Sequence, residues 1–94
     1  MNYELVVMIK PSLTEEQAKK KSDSIKGLIT ELEGKTEKED FWGKRKLAYE
    51  IKRMQEAYYA SLNFQAPQAS VKKLSSKLSA EPDVVRYLLT ASES

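Results

Sequence analysis

Four segments of the chain are predicted to be β-strands, either from a β-branched and apolar composition or from the alternation of apolar and polar residues, although residues 35–40 show no apolar periodicity. The strand-like runs cover residues 3–10, 35–52, 57–64 and 84–90. The second run starts in a charged stretch and continues into an aromatic and aliphatic one. Polar residues 53–56 separate the middle two runs and predict a hairpin turn, but without Asn-Gly or Asp-Gly a tight primed turn is not expected.

The segment between the first two strands has the apolar spacing of an amphipathic helix, spanning about residues 14–33. Its start, Thr14-Glu15-Glu16-Gln17, is typical of a capping box. Gly34 follows as a C-terminal stop. The Lys19-Lys20-Lys21 run within the helix indicates a solvated face, because three successive residues spread over most of a turn.

A second helix is predicted over about residues 68–78, where Val71, Leu74 and Leu78 recur at helical spacing. Pro82 prevents its continuation. The resulting order is strand, helix, strand, strand, helix, strand. It predicts a single α+β domain over residues 1–94 with a ferredoxin-like split βαβ fold, in which both helices cover one face of a four-stranded antiparallel sheet.

The alternation also assigns side chains to the two faces of this sheet. The face under the helices is expected to hold Leu5, Val7, Ile9, Leu47, Tyr49, Ile51, Leu62, Phe64, Tyr87 and Leu89. The opposite face is expected to hold Val6, Met8, Ala48, Tyr59, Asn63, Arg86 and Leu88. This second face is neither clearly polar nor fully apolar, and an uncovered face of that kind suggests contact with a protein or an RNA.

Composition narrows the chemistry that the chain can perform. The 94 residues include no Cys and no His, which removes thiolate nucleophiles, imidazole bases and most zinc sites, so no cofactor is expected. The net charge is only +2, so binding to nucleic acid would need a local patch or a partner that shares the work. The chain has neither an apolar run long enough for a membrane span nor a signal-peptide start, which predicts a cytoplasmic protein.

The local patch is found in residues 41–52, which contain the only Trp and the consecutive cations Lys44, Arg45 and Lys46. A strand that presents Lys and Arg beside aromatic rings can bind a phosphate backbone. The same charges would also suit an ordinary edge strand, where they keep the protein soluble and oppose aggregation. The pattern alone leaves both interpretations open.

Four elements of the sequence together resemble one family, the sixth protein of the bacterial small ribosomal subunit. They are Tyr3-Glu4, Trp42-Gly43-Lys44-Arg45 followed by Leu47-Ala48-Tyr49, Tyr58-Tyr59, and Val84-Val85-Arg86-Tyr87. The resemblance covers about residues 2–91, and its most specific part is the tryptophan element. The sequence departs from this family at one position: Ala57 precedes the tyrosine pair, where the family often has a Gly. Because Ala disfavours positive φ, the hairpin geometry of the family is not assured here.

The resemblance implies a structural, non-enzymatic protein without a small-molecule substrate. It implies binding to the central domain of small-subunit ribosomal RNA as a heterodimer with the eighteenth small-subunit protein. The implied RNA contacts are Tyr3, Lys44, Arg45, Lys46, Lys52 and Arg86. The implied contacts with the partner protein are Trp42, Ala48, Tyr49 and Tyr59.

Other functions fit parts of the same pattern. A stand-alone RNA-recognition module shares the fold and would stack a base on an outward Tyr59. An acyl-phosphate enzyme would use Arg86 and Asn63 around an anion, although no Gly-rich phosphate loop precedes either helix. Structural roles are also open: Trp42 would serve as a partly buried anchor, and Arg86 would pair with a carboxylate across the sheet.

Overall fold

The computed structural model describes residues 2–51 and 53–92, and its elements follow the predicted order. They are β1 (Asn2–Ile9), α1 (Glu15–Glu31), β2 (Lys35–Ile51), β3 (Met54–Gln65), α2 (Gln68–Ala80) and β4 (Val84–Ser92). The strands pair antiparallel in the order β2-β3-β1-β4. The ferredoxin-like arrangement predicted from the element order is therefore confirmed.

The core lies between the helices and the inner face of β1 and β3. The largest fully buried side chains are Phe64, Leu5, Ile9, Ile29, Leu62, Leu74, Leu78 and Val7. They come from alternate positions of the two central strands and from one stripe of each helix, so burial follows the two periodicities seen in the sequence. Tyr87 and Leu89 of the edge strand β4 pack partly against this core, as expected.

Helix α1 begins with the predicted capping box. The amide of Gln17 donates to the Thr14 hydroxyl over 3.1 Å, and the Gln17 side-chain oxygen accepts from the Thr14 amide over 2.9 Å. These two bonds satisfy donors that would otherwise face solvent at the helix start. Because the motif is local in sequence, it could be predicted without knowledge of the fold.

The end of α1 differs from the prediction. The left-handed residue is Glu33, with φ of 68°, and Gly34 comes one position later. The amides of Glu33 and Gly34 donate to the carbonyl oxygens of Thr30 and Ile29 over 3.1 Å and 2.8 Å, which is the Schellman pattern. Gly34 is required here for a different reason: a Cβ on it would lie 2.6 Å from Cγ2 and 2.9 Å from the carbonyl oxygen of Ile29.

The hairpin between β2 and β3 is tighter than expected. Ile51 pairs with Met54, and β3 begins three residues before the predicted position 57. Arg53 takes the left-handed conformation with φ of 66°. Ala57 lies within β3, opposite Arg45, and is not among the described residues with positive φ, so its replacement of the family's Gly leaves the turn intact.

The last part of β2 departs from simple alternation. Lys46 pairs with Glu56 and Ile51 with Met54, so residues 47–50 are opposed by Gln55 alone. This insertion displaces the segment from the sheet and breaks the two-residue period. The prediction that Tyr49 faces the helices is therefore wrong: its side chain is 64% exposed and reaches Arg86 over the opposite face. Leu47 lines the same opposite side, also against the prediction.

A group of ion pairs ties α1 to the segments at the ends of β1 and α2. Asp83 accepts from Lys10 at 2.9 Å and from Lys21 at 3.3 Å, and Lys21 also bonds Glu81 at 3.0 Å. The hydrogen bond from Lys10, followed by that from Lys21, holds the pKa of Asp83 below its ordinary value of 3.8. The hydrogen bond to Glu81 raises the pKa of Lys21. The solvated face predicted for the lysine run is thus wrong for Lys21.

We expect Asp83→Asn to lower the free energy of unfolding near neutral pH by about 1 kcal/mol, because it removes one charge from a partly shielded network. The folded-state pKa of Asp83 is depressed, so its contribution is present above the unfolded value and is lost as the pH falls through the folded one. Urea titrations at about pH 7 and about pH 2 should therefore show a difference between wild type and variant only at the higher pH.

The matched control is Asp40→Asn, which removes a more exposed carboxylate that pairs with Lys38 at 3.7 Å. We expect this change to alter stability by less than about 0.5 kcal/mol at either pH. Equal effects of the two substitutions would contradict a special contribution of the Asp83 network.

Candidate RNA and partner interface

A bulge in β2 orients the single tryptophan. Phe41 pairs with Ala60 and Gly43 with Tyr59, which leaves Trp42 as an extra residue between them. Gly43 has φ of 83°, a conformation that only glycine adopts without strain. Trp42 then lies on the face of the sheet away from the helices and stacks on Tyr59, with ring centroids 5.9 Å apart and an interplanar angle of 11°.

Trp42 remains 44% exposed despite this stacking. Its structural interpretation as a partly buried anchor is therefore compatible with the geometry, and so is a role as an exposed contact. We use the term open face for the side of the sheet away from the helices.

The three consecutive cations follow immediately and alternate between the two sides of β2. Lys44 is opposite Tyr58 and Lys46 is opposite Glu56, on the side of the helices. Arg45 is opposite Ala57 and shares the open face with Trp42. The Lys44 ammonium lies 5.1 Å from the centroid of the Tyr58 ring, and Arg45 Nε donates to the Trp42 carbonyl oxygen over 3.2 Å.

Lys44, Arg45 and Lys46 are all exposed on an edge strand of the sheet. Within residues 2–51 and 53–92, none of them forms an ion pair with a carboxylate. Three unpaired charges at consecutive positions of one edge are available to phosphate oxygens on either side of the strand. We call residues 44–46 the cationic edge.

The other predicted RNA contacts lie elsewhere. Tyr3 is a core residue, 7% exposed, and its ring stacks on Phe64 at 5.6 Å between centroids. Arg86 is on β4, at the opposite edge of the sheet, where it donates to the Tyr49 hydroxyl over 3.2 Å. It pairs with no carboxylate of residues 2–51 and 53–92, against one interpretation of the sequence. Lys52 lies outside the described residues. The burial of Tyr3 disfavours the RNA contact predicted for it.

The predicted partner contacts, in contrast, are brought together on the open face. Ala48, Tyr49 and Tyr59 line a groove of about 270 Å³, and Trp42 stacks on Tyr59 beside it. The groove has further lining residues that the sequence analysis did not name as candidate contacts with the partner. They are Met8, Leu47, Arg86 and Leu88. Alternation places Met8, Arg86 and Leu88 on this face, but nothing in the sequence showed that Leu47 and Tyr49 would line it as well.

The groups proposed for anion chemistry are not assembled. Asn63 pairs with Glu4 and Arg86 pairs with Met8, so the two side chains are offset by four positions along β1. That offset corresponds to about 13 Å along the strand. Within the described residues, no cluster of three or more acidic side chains is placed to hold a metal ion. No helix in this part of the chain is long and apolar enough to span a bilayer.

Comparison with known proteins gives matches over nearly the whole chain. The family model described as Ribosomal protein S6 matches residues 2–91. The small ribosomal subunit protein bS6 of Clostridium botulinum is 37% identical over 91 residues, covering 97% of each chain. That of Heliobacterium modesticaldum is 37% identical over 87 residues, covering 93% of this chain and 91% of the relative.

A solved structure shows the same fold. The crystal structure of 30S ribosomal protein S6 from Thermotoga maritima superimposes with a TM-score of 0.90. The two sequences are 29% identical, and the match covers 95% of this chain and 84% of that one.

Proposed function

The chain belongs to the ribosomal protein S6 family of the bacterial small ribosomal subunit, and we propose that it binds the central domain of small-subunit ribosomal RNA together with the eighteenth small-subunit protein. In this role it is a structural, ribosome-associated component and catalyses no reaction. The observation that carries the proposal is the cationic edge beside the exposed Trp42–Tyr59 stack.

The cationic edge supports binding to a phosphate backbone. Its three charges have no acidic partner within the described residues, so they can displace counterions from RNA without first breaking ion pairs. Three phosphate contacts give a slope of about 2–3 in the salt dependence of log affinity. That is too small for tight binding by this chain alone at physiological salt, which favours a composite site with a second protein.

The open face supports docking of that second protein. Trp42 and Leu88 are 44% and 50% exposed on this side of the sheet. Large apolar side chains exposed close together on a soluble protein mark an interaction surface. The surface adjoins the cationic edge through Trp42 and Arg45. A partner docked on the open face would therefore lie beside the cationic edge and could add its own cations to the RNA site.

The test is a titration of a central-domain RNA fragment with this protein at several salt concentrations, with and without the eighteenth protein. We expect weak binding by the chain alone and binding at least tenfold tighter with the partner, each with a slope of a few ions. Equal affinity with and without the partner would overturn the composite site.

The same titration separates the alternative of a stand-alone RNA-recognition module. The specific observation in favour of that alternative is the exposed Trp42–Tyr59 stack, which could hold a base. Tight binding without the partner, weakened severalfold by Tyr59→Ala, would support the alternative. Absence of RNA binding under both conditions would reject both functions.

A further inference from the structure

Residues 47–50 form a strap across the open face. They are the part of β2 that is opposed only by Gln55, and they leave the edge of the sheet at Lys46. The Tyr49 side chain extends toward the opposite edge, where its Oη accepts from Arg86 Nη1 of β4 at 3.2 Å. A segment at one edge is thus bonded to the strand at the other, and the bond spans the two central strands.

Burial beneath the strap shows what it covers. Met8 points to the open face, away from the helices, yet is only 8% exposed. Its neighbours on the adjacent strands are Tyr59 and Arg86, and the strap residues Leu47, Ala48 and Tyr49 line the groove above it. The adjacent Leu88, at the margin of the same groove, remains 50% exposed.

The strap is held loosely. The strap and the sheet together line a groove of about 270 Å³ that is open to solvent, so their contact is not close-packed along its whole length. Tyr49 itself is 64% exposed, and its hydroxyl makes one hydrogen bond within the described residues, to Arg86. A single exposed hydrogen bond contributes little, so the open and closed forms differ modestly in free energy.

We propose that residues 47–50 are an autoinhibitory strap that closes over the open face of the free protein, that the Tyr49–Arg86 hydrogen bond is its latch, and that the eighteenth small-subunit protein docks only after the strap lifts. The docking step rests on the proposed function. The closed strap and its latch are properties of the free chain and can be measured without a partner.

The experiment on the free chain uses Met8 as its own reporter. Brief treatment with hydrogen peroxide followed by peptide mass spectrometry gives the rate at which Met8 becomes its sulfoxide. We expect Tyr49→Phe and Arg86→Gln each to raise this rate about two- to tenfold, because either change removes the latch while leaving the buried strands intact. Met54 oxidation in the same sample provides the internal reference.

Tyr59→Phe is the matched control. It removes a hydroxyl from the same groove, but one that forms no hydrogen bond within the described residues, so Met8 should oxidise as in the wild type. The urea midpoint of each variant shows whether global unfolding contributes. The latch is disproved if Met8 is oxidised at the same rate in the wild type and in Tyr49→Phe. It is also disproved if Tyr59→Phe raises the rate of Met8 oxidation as much as Tyr49→Phe does.

Docking is measured separately, as the association rate with the eighteenth protein in stopped flow. Tyr49→Phe should raise this rate by the same factor as Met8 oxidation. If Tyr49→Phe speeds Met8 oxidation but does not change the association rate, the latch is supported and the gating step is refuted. Failure of the partner to bind wild type and variant alike would refute the proposed function without touching the Met8 result.

Discussion

Replacing Gly34 by alanine is expected to lower the free energy of unfolding by about 2–3 kcal/mol. The added Cβ would lie 2.6 Å from Ile29 Cγ2, 2.9 Å from the Ile29 carbonyl oxygen and 3.2 Å from the Gln65 carbonyl oxygen. Ile29 is 1% exposed in the core and cannot withdraw freely, and the two oxygens belong to the backbone. Relief of the overlap would have to move the end of α1 away from β3. Chemical denaturation followed by circular dichroism measures the loss.

Gly27, which lies within α1, provides a control. A Cβ at this position meets nothing within 4 Å, so Gly27→Ala should stabilise the protein by about 0.5–1 kcal/mol through helix propensity alone. The two Gly-to-Ala changes should therefore have opposite signs. If Gly34→Ala is neutral or stabilising, the close approach of α1 to β3 relaxes at no cost and the packing argument is wrong.

Reversing the charges of Lys44 and Arg45 to Glu is expected to weaken binding to the central-domain RNA about 30- to 100-fold near physiological salt, measured with the eighteenth protein present. Two phosphates are then left without a cation, and two new negative charges repel the backbone. The slope of log affinity against log salt should fall by about one for each phosphate that is no longer neutralised. The fold should survive, because both side chains are exposed and Lys44 contributes to stability mainly through its contact with Tyr58.

The control for this double reversal is Lys72→Glu with Lys73→Glu. Both pairs of reversals change the net charge from +2 to −2, but Lys72 and Lys73 are exposed on α2, which packs against β4 rather than β2. Comparable losses of affinity from the two double variants would indicate a non-specific effect of net charge. Loss of folding by the Lys44–Arg45 variant would assign those residues a structural role.

Local signals in the sequence predicted the fold well. The capping box at Thr14 involves residues three positions apart, and the alternation of β1 and β3 reflects burial of one face against the helices. Both are determined by neighbours in the chain or by simple periodicity. Of the predicted partner contacts, Tyr59 lies on the open face for the same reason, because it alternates with the buried Tyr58.

What the sequence could not show depends on pairing between distant segments. The alternation of residues 47–51 continues without interruption in the sequence, so nothing marks the displacement of Tyr49 toward Arg86. Lys21 looks like its neighbours in a lysine run, and only the fold brings Glu81 and Asp83 beside it. Tyr3 was assigned to RNA by resemblance, and only the structure revealed its stacking on Phe64.

The irregular pairing of β2 also helps to protect this protein from aggregation at high concentration. The outer edge of β2 is interrupted by register shifts at three places and carries many charges, which makes it a poor template for another strand. The other outer edge, β4, has Arg86 as its single charged residue between Val84 and Ser92. Intermolecular pairing of edge strands should therefore start at β4. Arg86 is the residue of that edge whose charge opposes such pairing.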